Sequence, residues 1–300
     1  MIKNLFLLPS SLSKPIADTL TQPLSEQKPY IRKFDNDHWK GALIMPEIEK
    51  CDDESAIRRL INADIIIFEV HGGGFILGHS TMFMDSFISW IDLFKEKHDL
   101  NVCVMSIDYR LAPTYKYPIA SDDCIAAYNY LTQDLGVSPS KIVCSGDSAG
   151  GNLLLEVFIK TYAPGIMSDL DAPRTNFGLP LPAGVLFSSP FISGETKSES
   201  WEKYGNVDVA TPSAIHNIAR DYYGQPIFDL ESLPISLFPR LSKAFDRFLP
   251  KKTMVVYGDA ECLRDSIVDI FEKMKQDGTV DVTFVVENLA HDWLMFQEIV

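Results

Sequence analysis

Basic residues are scarce in this chain of 300 residues, which has 27 Lys and Arg against 41 Asp and Glu and a net charge of −14. A protein this acidic repels polyanions, which argues against nucleic acid as a partner. The apolar run from Leu5 to Leu8 is too short for the core of a signal peptide or for a membrane span. We therefore expect no transmembrane segment, and we leave peripheral membrane contact through this run open.

Cysteine is also sparse, and its pattern argues against a disulfide framework. The five cysteines are an odd number without a C-x-x-C pair, and three of them lie in apolar runs typical of a core. The chain contains no N-x-S/T glycosylation sequon. Reduced thiols and a cytoplasmic location are the corresponding expectations. Neither G-x-G-x-x-G nor a P-loop lysine is present, which removes the usual nucleotide-binding motifs.

Strand-like and helix-like segments alternate along the chain, which is long enough for one large domain. After two predicted strands at 30–34 and 39–45 comes a charged connection at 47–55. Further strands are predicted at 61–70, 101–108, 141–145, 183–189, 253–257 and 280–287, with helices at 82–97, 117–135 and 153–162 and a last one ending at 275. The alternation predicts an α/β fold with a mostly parallel central sheet and helices on both faces.

The five residues Gly146-Asp-Ser148-Ala-Gly150 stand between an apolar strand and a helix and have the form G-x-S-x-G. Where a strand turns this sharply into a helix, the serine is strained and its neighbours must lack bulk. The turn lifts the hydroxyl above the sheet edge, and the first helical amides point toward negative charge forming there. Ser148 is therefore predicted to be a nucleophile, with an ordinary turn as the alternative.

A second glycine cluster, His71-Gly-Gly-Gly74, directly follows the predicted strand that ends at Val70. Three consecutive glycines are costly in conformational entropy unless the backbone must be approached closely. Consecutive amides of this kind are what an oxyanion needs, whereas a flexible turn is the simpler interpretation.

A serine hydroxyl needs a general base, which the six histidines of the chain must supply. In this kind of fold the base follows the nucleophile in the chain, which leaves His216 and His291. His216 lies in a segment that interrupts the alternation of strands and helices. His291 follows the last predicted strand, at the sheet edge that also presents Ser148, and is therefore the predicted base.

Together these residues resemble the hormone-sensitive-lipase-like carboxylesterases of the α/β-hydrolase fold. The resemblance rests on His71 to Gly74, Asp108-Tyr-Arg-Leu-Ala-Pro113, Gly146 to Gly151, Leu263-Arg-Asp265 and His291. It implies an α/β-hydrolase fold with a helical cap, hydrolysis of carboxylic esters with short or medium acyl chains, and no cofactor or metal. It also implies an oxyanion hole formed by the backbone amides of Gly73, Gly74 and Ala149. The motif that begins at Asp108 would be structural.

The acid of the triad must come from three carboxylates that follow the predicted strand at 253–257, namely Asp259, Glu261 and Asp265. The family usually has Asp two residues before its Leu-x-Asp sequence, where this chain has Glu261. A loop can absorb the extra methylene by a small backbone shift, so we favour Glu261 over Asp259. Asp265 matches a second, noncatalytic Asp of the family and lies in the predicted first turn of a helix, so it ranks last.

The segment 191–249 carries aromatic residues scattered among prolines and short helical pieces. They are Trp201, Tyr204, Tyr222, Tyr223, Phe228, Phe238, Phe245 and Phe248. An insertion of this length between two strands would suit a lid over the site, although such aromatics also serve in ordinary packing. The predicted organisation is one α/β-hydrolase domain over 1–300, with a cap formed by about 1–29 and about 191–249.

Two other functions share this scaffold. Plant gibberellin receptors descend from the same family after losing the catalytic histidine, whereas this chain keeps His291. Amide or peptide hydrolysis would use the same triad, and the sequence does not separate it from ester hydrolysis. The sequence thus predicts a serine carboxylic-ester hydrolase that acts through an acyl-enzyme on a small ester, with a small-ligand receptor or an amidase as alternatives.

Overall fold

A single sheet organises the residues that the computed structural model describes, which are 2–176, 178–224 and 233–295. Its eight strands are β1 (Ile31–Asp35), β2 (Lys40–Ile44), β3 (Ile65–Val70), β4 (Val102–Ile107), β5 (Ile142–Asp147), β6 (Gly184–Ser188), β7 (Lys252–Gly258) and β8 (Asp281–Glu287). Neighbouring strands follow the order β1-β2-β4-β3-β5-β6-β7-β8. The pairs β1–β2 and β2–β4 are antiparallel and the remaining pairs are parallel, which confirms the predicted mostly parallel sheet.

The α-helices of the described residues lie mainly between these strands. They are α1 (Ser10–Leu20), α2 (Asp53–Ile61), α3 (Met84–His98), α4 (Ile119–Asn129), α5 (Ala149–Tyr162), α6 (Glu199–Tyr204), α7 (Pro212–Tyr223), α8 (Pro234–Leu237) and α9 (Arg264–Asp277). The end of the predicted connection at 47–55 and the start of the predicted strand at 61–70 are wrong, because α2 occupies residues 53–61. The Asp52 carboxylate accepts the amide of Ser55 at 2.7 Å and caps this helix, so β3 begins only at Ile65.

Side chains of the central strands alternate between two apolar layers, as the pleat of a sheet requires. On one face Ile67 and Val104 pack in a cluster with Phe87 of α3. On the other face Phe68 and Met105 belong to a larger cluster that includes buried residues of α4, α5 and α9. Helices therefore cover both faces of the sheet, as the sequence predicts.

The carboxyl ends of the parallel strands meet at one edge, where the predicted site residues come together. Gly73 and Gly74 follow β3, Ser148 follows β5, Glu261 follows β7 and His291 follows β8. Four separate connections thus contribute to a single region of the molecule.

The chain between β6 and β7 leaves the sheet and contains α6, α7 and α8. Helix α7 contacts the 3-10 helix Ile2–Leu7 at the start of the chain. Tyr222 of α7 is fully buried, and its ring stacks on Phe75 with the ring centroids 4.0 Å apart. Phe228 lies outside the described residues. Of the helices that the structure describes, none has both the length and the apolar character needed to cross a bilayer.

Candidate active site

Ser148 occupies a strained turn between β5 and α5. Its φ of 48° and ψ of −115° lie in a region that residues with side chains rarely adopt. A Cβ on Gly150 would lie 1.9 Å from the carbonyl oxygen of Val70, and one on Gly146 would lie 2.8 Å from that of Gly150. Close backbone contacts therefore require both glycines of the G-x-S-x-G sequence.

The side chains of Ser148 and His291 meet at the sheet edge. Nε2 of His291 lies 3.0 Å from Oγ of Ser148, and the imidazole side chain is only 7% exposed. His216, the other histidine weighed from the sequence, is exposed on α7. Burial lowers the pKa of His71 to about 4, so that imidazole is neutral and structural. Among these three histidines, His291 is the one placed to take the serine proton.

Of the three candidate acids, Glu261 is the one that faces His291. Its Oε1 lies 3.9 Å from Nδ1 of His291, while Oε2 accepts the Ser189 hydroxyl at 2.6 Å and the Gly258 amide at 3.0 Å. The separation of 3.9 Å exceeds a hydrogen bond, and such contacts often tighten only when substrate is bound. Asp259 has a side chain 57% exposed to solvent, and it lies 3.7 Å from the Arg264 guanidinium.

Asp265 and Asp208 connect the loop that carries Glu261 to the insertion. Asp265 accepts the amide of Ser200 at 2.8 Å, and the Ser200 hydroxyl donates to the carbonyl of Cys262 at 2.7 Å. Asp208 accepts the Cys262 amide at 2.7 Å. Both backbone groups of Cys262, the residue next to Glu261, are thus hydrogen-bonded to side chains of the insertion. Sequence reasoning missed Asp208, which lies in an irregular stretch without a motif.

The glycine loop after β3 is bonded directly to the serine turn. The amide of Gly72 donates to Oδ1 of Asp147 at 2.8 Å. Gly73 and Gly74 have φ of +98° and +61°, conformations in which side chains are strained. The loop can therefore turn its backbone toward Ser148 because it has no side chains in the way.

Two backbone segments, the glycine loop and the start of α5, border the cavity beside the serine hydroxyl. Gly73, Gly74 and Ala149 line the same cavity as Ser148. Ala149 is the first residue of α5, so its amide has no acceptor within that helix. This arrangement could stabilise negative charge on an oxygen bound next to the serine.

Tyr109 holds the glycine loop, and Asp108 holds the chain that follows this loop. The Tyr109 hydroxyl reaches the carbonyl oxygens of His71 at 2.8 Å and Gly72 at 3.2 Å, and its ring stacks on the His71 imidazole. Asp108 accepts the amide of Ser80 at 2.5 Å. The sequence motif identified these two positions, but their partners lie 28 to 38 residues away and emerged only from the structure.

Carboxyl groups dominate the electrostatics around the imidazole. Burial alone would lower the pKa of His291, but the carboxylates of Asp292 and Glu261 together raise it well above its ordinary value. Burial raises the pKa of Glu261, and the contact with His291 acts against that rise. Burial, followed by the charge of Asp292, raises the pKa of Asp147 well above its usual range. The site therefore retains protons that exposed groups would release.

A largely apolar cavity ends at Ser148. Its remaining walls come mostly from the start of the chain and from the insertion. These wall residues include Leu5, Phe6, Ala17, Leu20, Phe191, Val209, Ala210, Ala214, Ile215 and Ile218. The insertion contributes mainly aliphatic side chains, and the described aromatics singled out in the sequence pack elsewhere.

The sheet topology, the strained serine turn and the serine–histidine contact define an α/β hydrolase. The chain belongs to a protein family described as having the alpha/beta hydrolase fold, which it matches over residues 67–295.

Known proteins support the more specific resemblance to hormone-sensitive lipases, which is confirmed. Lipase 2 of Moraxella sp. (strain TA144) is 31% identical over 248 residues, which are 75% of this chain and 53% of that protein. Mouse hormone-sensitive lipase is 34% identical over 153 residues, or 50% of this chain and 18% of the lipase. The chain thus spans about half the length of the Moraxella lipase. A solved esterase of the bacterial hormone-sensitive lipase family superposes with a TM-score of 0.72 at 23% identity, covering 100% of this chain and 89% of that one.

Proposed function

We propose that the protein is a serine hydrolase that cleaves carboxylic esters with short or medium acyl chains. The contact of 3.0 Å between Nε2 of His291 and Oγ of Ser148, at the end of an apolar cavity, carries this proposal. Ser148 is the nucleophile, His291 the general base and Glu261 the acid. Family membership and the likeness to lipases and an esterase support the same reaction.

Acylation begins when His291 takes the proton of the Ser148 hydroxyl as Oγ attacks the ester carbonyl carbon. The amides of Gly73, Gly74 and Ala149 form the oxyanion hole and donate to the oxygen that becomes negative. When the tetrahedral intermediate collapses, the bond to the alcohol oxygen breaks and His291 gives its proton to that oxygen. A water molecule, deprotonated by His291, then attacks the acyl carbonyl, which releases the acid and restores Ser148.

Glu261 acts through the other ring nitrogen of His291. When the contact tightens, its Oε1 accepts a hydrogen bond from Nδ1–H, which keeps the correct tautomer and stabilises the imidazolium that forms during each proton transfer. The donors from Ser189 and Gly258 hold the second carboxylate oxygen, so Oε1 stays directed at the ring.

The cap in this proposal comprises about 1–29 and about 191–249 of one α/β-hydrolase domain. It contributes Phe6, Ile215 and Ile218 to the cavity wall. An uncharged acyl chain suits these walls, since a charged substrate would lose its hydration there without gaining a partner.

A cytoplasmic location belongs to the proposal because the cysteines are reduced, four of them being buried. The surface charge implied by a net charge of −14 makes nucleic acid an unsuitable partner. Leu7 and Leu8 are 45% and 39% exposed, so they offer a small apolar patch for peripheral membrane contact.

The receptor alternative has little support, because a binding protein does not need the contact between His291 and Ser148. An amidase would use the same residues. Parallel assays with p-nitrophenyl butyrate and the p-nitroanilide of butyric acid distinguish the two, and we expect turnover of the ester without measurable turnover of the anilide.

The decisive test is hydrolysis of p-nitrophenyl acetate and butyrate by the purified chain and by Ser148→Ala. We expect the substitution to reduce kcat by about 10³-fold or more, since it removes the nucleophile. A fluorophosphonate probe should label Ser148 in the wild type, as located by peptide mass spectrometry. Wild-type turnover in Ser148→Ala, or a label on another residue, would overturn the assignment.

A further inference from the structure

Nε2 of His291 contacts a carboxylate as well as the Ser148 hydroxyl. Oδ2 of Asp292 lies 3.2 Å from Nε2, and Oγ of Ser148 lies 3.0 Å from it. Asp292 is 3% exposed and lines the same cavity as the serine. Its carboxylate cannot replace Glu261, which faces Nδ1, because Asp292 occupies the side of the ring that must receive the serine proton.

The backbone geometry of residue 292 does not explain why an aspartate stands at this position. Its φ is +58°, a left-handed conformation that Gly and Asn adopt as readily as Asp. Its amide donates to the Ser189 hydroxyl at 3.0 Å, a bond that any residue here could make. Its Oδ1 accepts the Ser188 hydroxyl at 3.4 Å. The carboxylate is thus held in place from its far side, with Oδ2 directed at the ring.

An ionised carboxylate only accepts hydrogen bonds, so its contact with Nε2 is favourable when that nitrogen carries a proton. A protonated Nε2 has no lone pair left for the serine proton. We propose that Asp292 is a positioning residue that keeps a proton on Nε2 of His291 in the free protein, so that Ser148 and Asp292 compete for the same nitrogen. The base form appears only after that proton has left to solvent.

The charges around the ring agree with this assignment. Glu261 faces it from the loop after β7, Asp147 from the end of β5 and Asp292 from its own loop. Burial and the neighbouring Asp292 raise the pKa of Asp147 well above its usual range, so Asp147 holds its proton more tightly than an exposed carboxyl group. Burial acts to lower the pKa of His291, but Asp292 and Glu261 together raise it well above its ordinary value.

The consequence for turnover rests on the proposed ester hydrolysis. Because acylation needs neutral His291, the acidic limb of the pH profile of kcat/KM should lie well above the ordinary pKa of histidine. Removing the charge of Asp292 should move this limb to lower pH and increase activity under mildly acidic conditions.

The proton on His291 can be followed without any catalysis. In the Ser148→Ala background, histidine labelled with ¹³C at Cε1 is titrated by NMR, and the signal of His291 is assigned by its loss in His291→Asn. We expect Asp292→Asn and Asp292→Gly each to lower the pKa of His291 by about 1–3 units, the usual effect of removing an opposite charge this close. Asn and Gly both tolerate the positive φ, so at least one folded variant should be obtained.

Glu287→Gln is the matched control, because it removes a negative charge from the exposed end of β8 without a contact to the ring. It should leave the titration of His291 nearly unchanged, since exposed charges are screened by solvent. An unchanged titration of His291 in both Asp292 variants would overturn the proposal.

Kinetics with p-nitrophenyl butyrate then provide the second measurement. The acidic limb of kcat/KM in Asp292→Asn should move down by the same amount as the NMR titration. A purely structural effect would instead lower kcat/KM at every pH without moving the limb, and that result would contradict the proposal. If the wild type hydrolyses no ester while the NMR shift appears, ester hydrolysis fails and the proton contact stands.

Discussion

The floor and the roof of the cavity are built by different kinds of contact. The floor, formed by the glycine loop and the serine turn, consists of closely packed backbone. A Cβ on Gly150 would lie 1.9 Å from a carbonyl oxygen, and the Gly72 amide donates to Asp147. The roof consists of side chains from the start of the chain and the insertion, such as Ile218, whose Cδ1 would lie 2.7 Å from a Cβ on Gly74. The floor therefore tolerates almost no added atom, whereas the roof can change volume without moving the reacting atoms. Chemistry and substrate selection are thereby separated.

Among the floor residues, we expect the largest effect on kcat from Glu261, the proposed acid. Glu261→Gln should lower kcat by about 10²-fold or more, because an amide no longer stabilises the imidazolium. Asp259→Asn is the matched control and should stay within about tenfold of wild type, since its side chain is 57% exposed. Both are measured as kcat for p-nitrophenyl butyrate. The reverse pattern would move the acid to Asp259.

Substitution of Tyr109, which supports the glycine loop, should have a smaller effect on kcat. Tyr109→Phe removes the hydroxyl that contacts the carbonyls of His71 and Gly72, which loosens the oxyanion amides. We expect kcat to fall by about tenfold with KM little changed, as when an interaction specific to the transition state is weakened.

Tyr128→Phe is the control for that substitution, because the Tyr128 hydroxyl bonds to that of Tyr162 at 2.9 Å within the core. Its loss should cost a similar stability, of about 1 kcal/mol, while kcat is maintained. Equal kcat values for the two Phe variants would show that Tyr109 contributes to folding alone.

The roof should alter selectivity rather than chemistry. Ile218→Ala enlarges the cavity wall, so kcat/KM for p-nitrophenyl octanoate relative to the acetate should rise by about 3- to 10-fold, the value of one to a few methylenes in an apolar pocket. Ile235→Ala removes an equally apolar, fully buried side chain of the insertion that does not line the cavity. It should leave the ratio unchanged. A ratio that changes equally in both variants would argue against a cap that selects substrate.

Glu69 of β3 should affect the thermal stability of the fold and the dependence of that stability on pH. Burial in β3 raises its pKa to about 8, so it is neutral in the folded protein at pH 6 although it ionises near 4.5 when exposed. Its contribution to stability is complete below about pH 4.5 and is lost as the pH rises toward 8. Between pH 5 and 8, Glu69→Gln should therefore lose fewer degrees of Tm than wild type, as measured by calorimetry. Exposed Glu96→Gln should follow the wild-type curve, and parallel curves for all three would refute the assignment.

Local patterns were sufficient to predict the sheet, the serine turn and the glycine loop. Ser148 and the glycines around it could be recognised because a strand-to-helix turn restricts residue type within a few positions. The start of β3 was predicted too early because Ile61 extends the β-branched pattern of that strand. In the structure Ile61 ends α2, a helix that Asp52 caps at its N-terminus. For the aromatics of the insertion the sequence left a lid and ordinary packing open, since composition does not reveal whether a ring lines a cavity or a core.

By itself, the sequence determined the candidates for nucleophile, base and acid, because each of them follows a strand whose apolar pattern is local. Only the tertiary structure decided how they meet. Glu261 rather than Asp259 faces the ring because the Ser189 hydroxyl, 72 residues away in sequence, holds its carboxylate. Asp292 is adjacent to His291 in the chain, yet its contact with Nε2 depends on a left-handed backbone and on Ser188 from another strand. Side-chain orientations of this kind depend on contacts between distant segments, which no local pattern encodes.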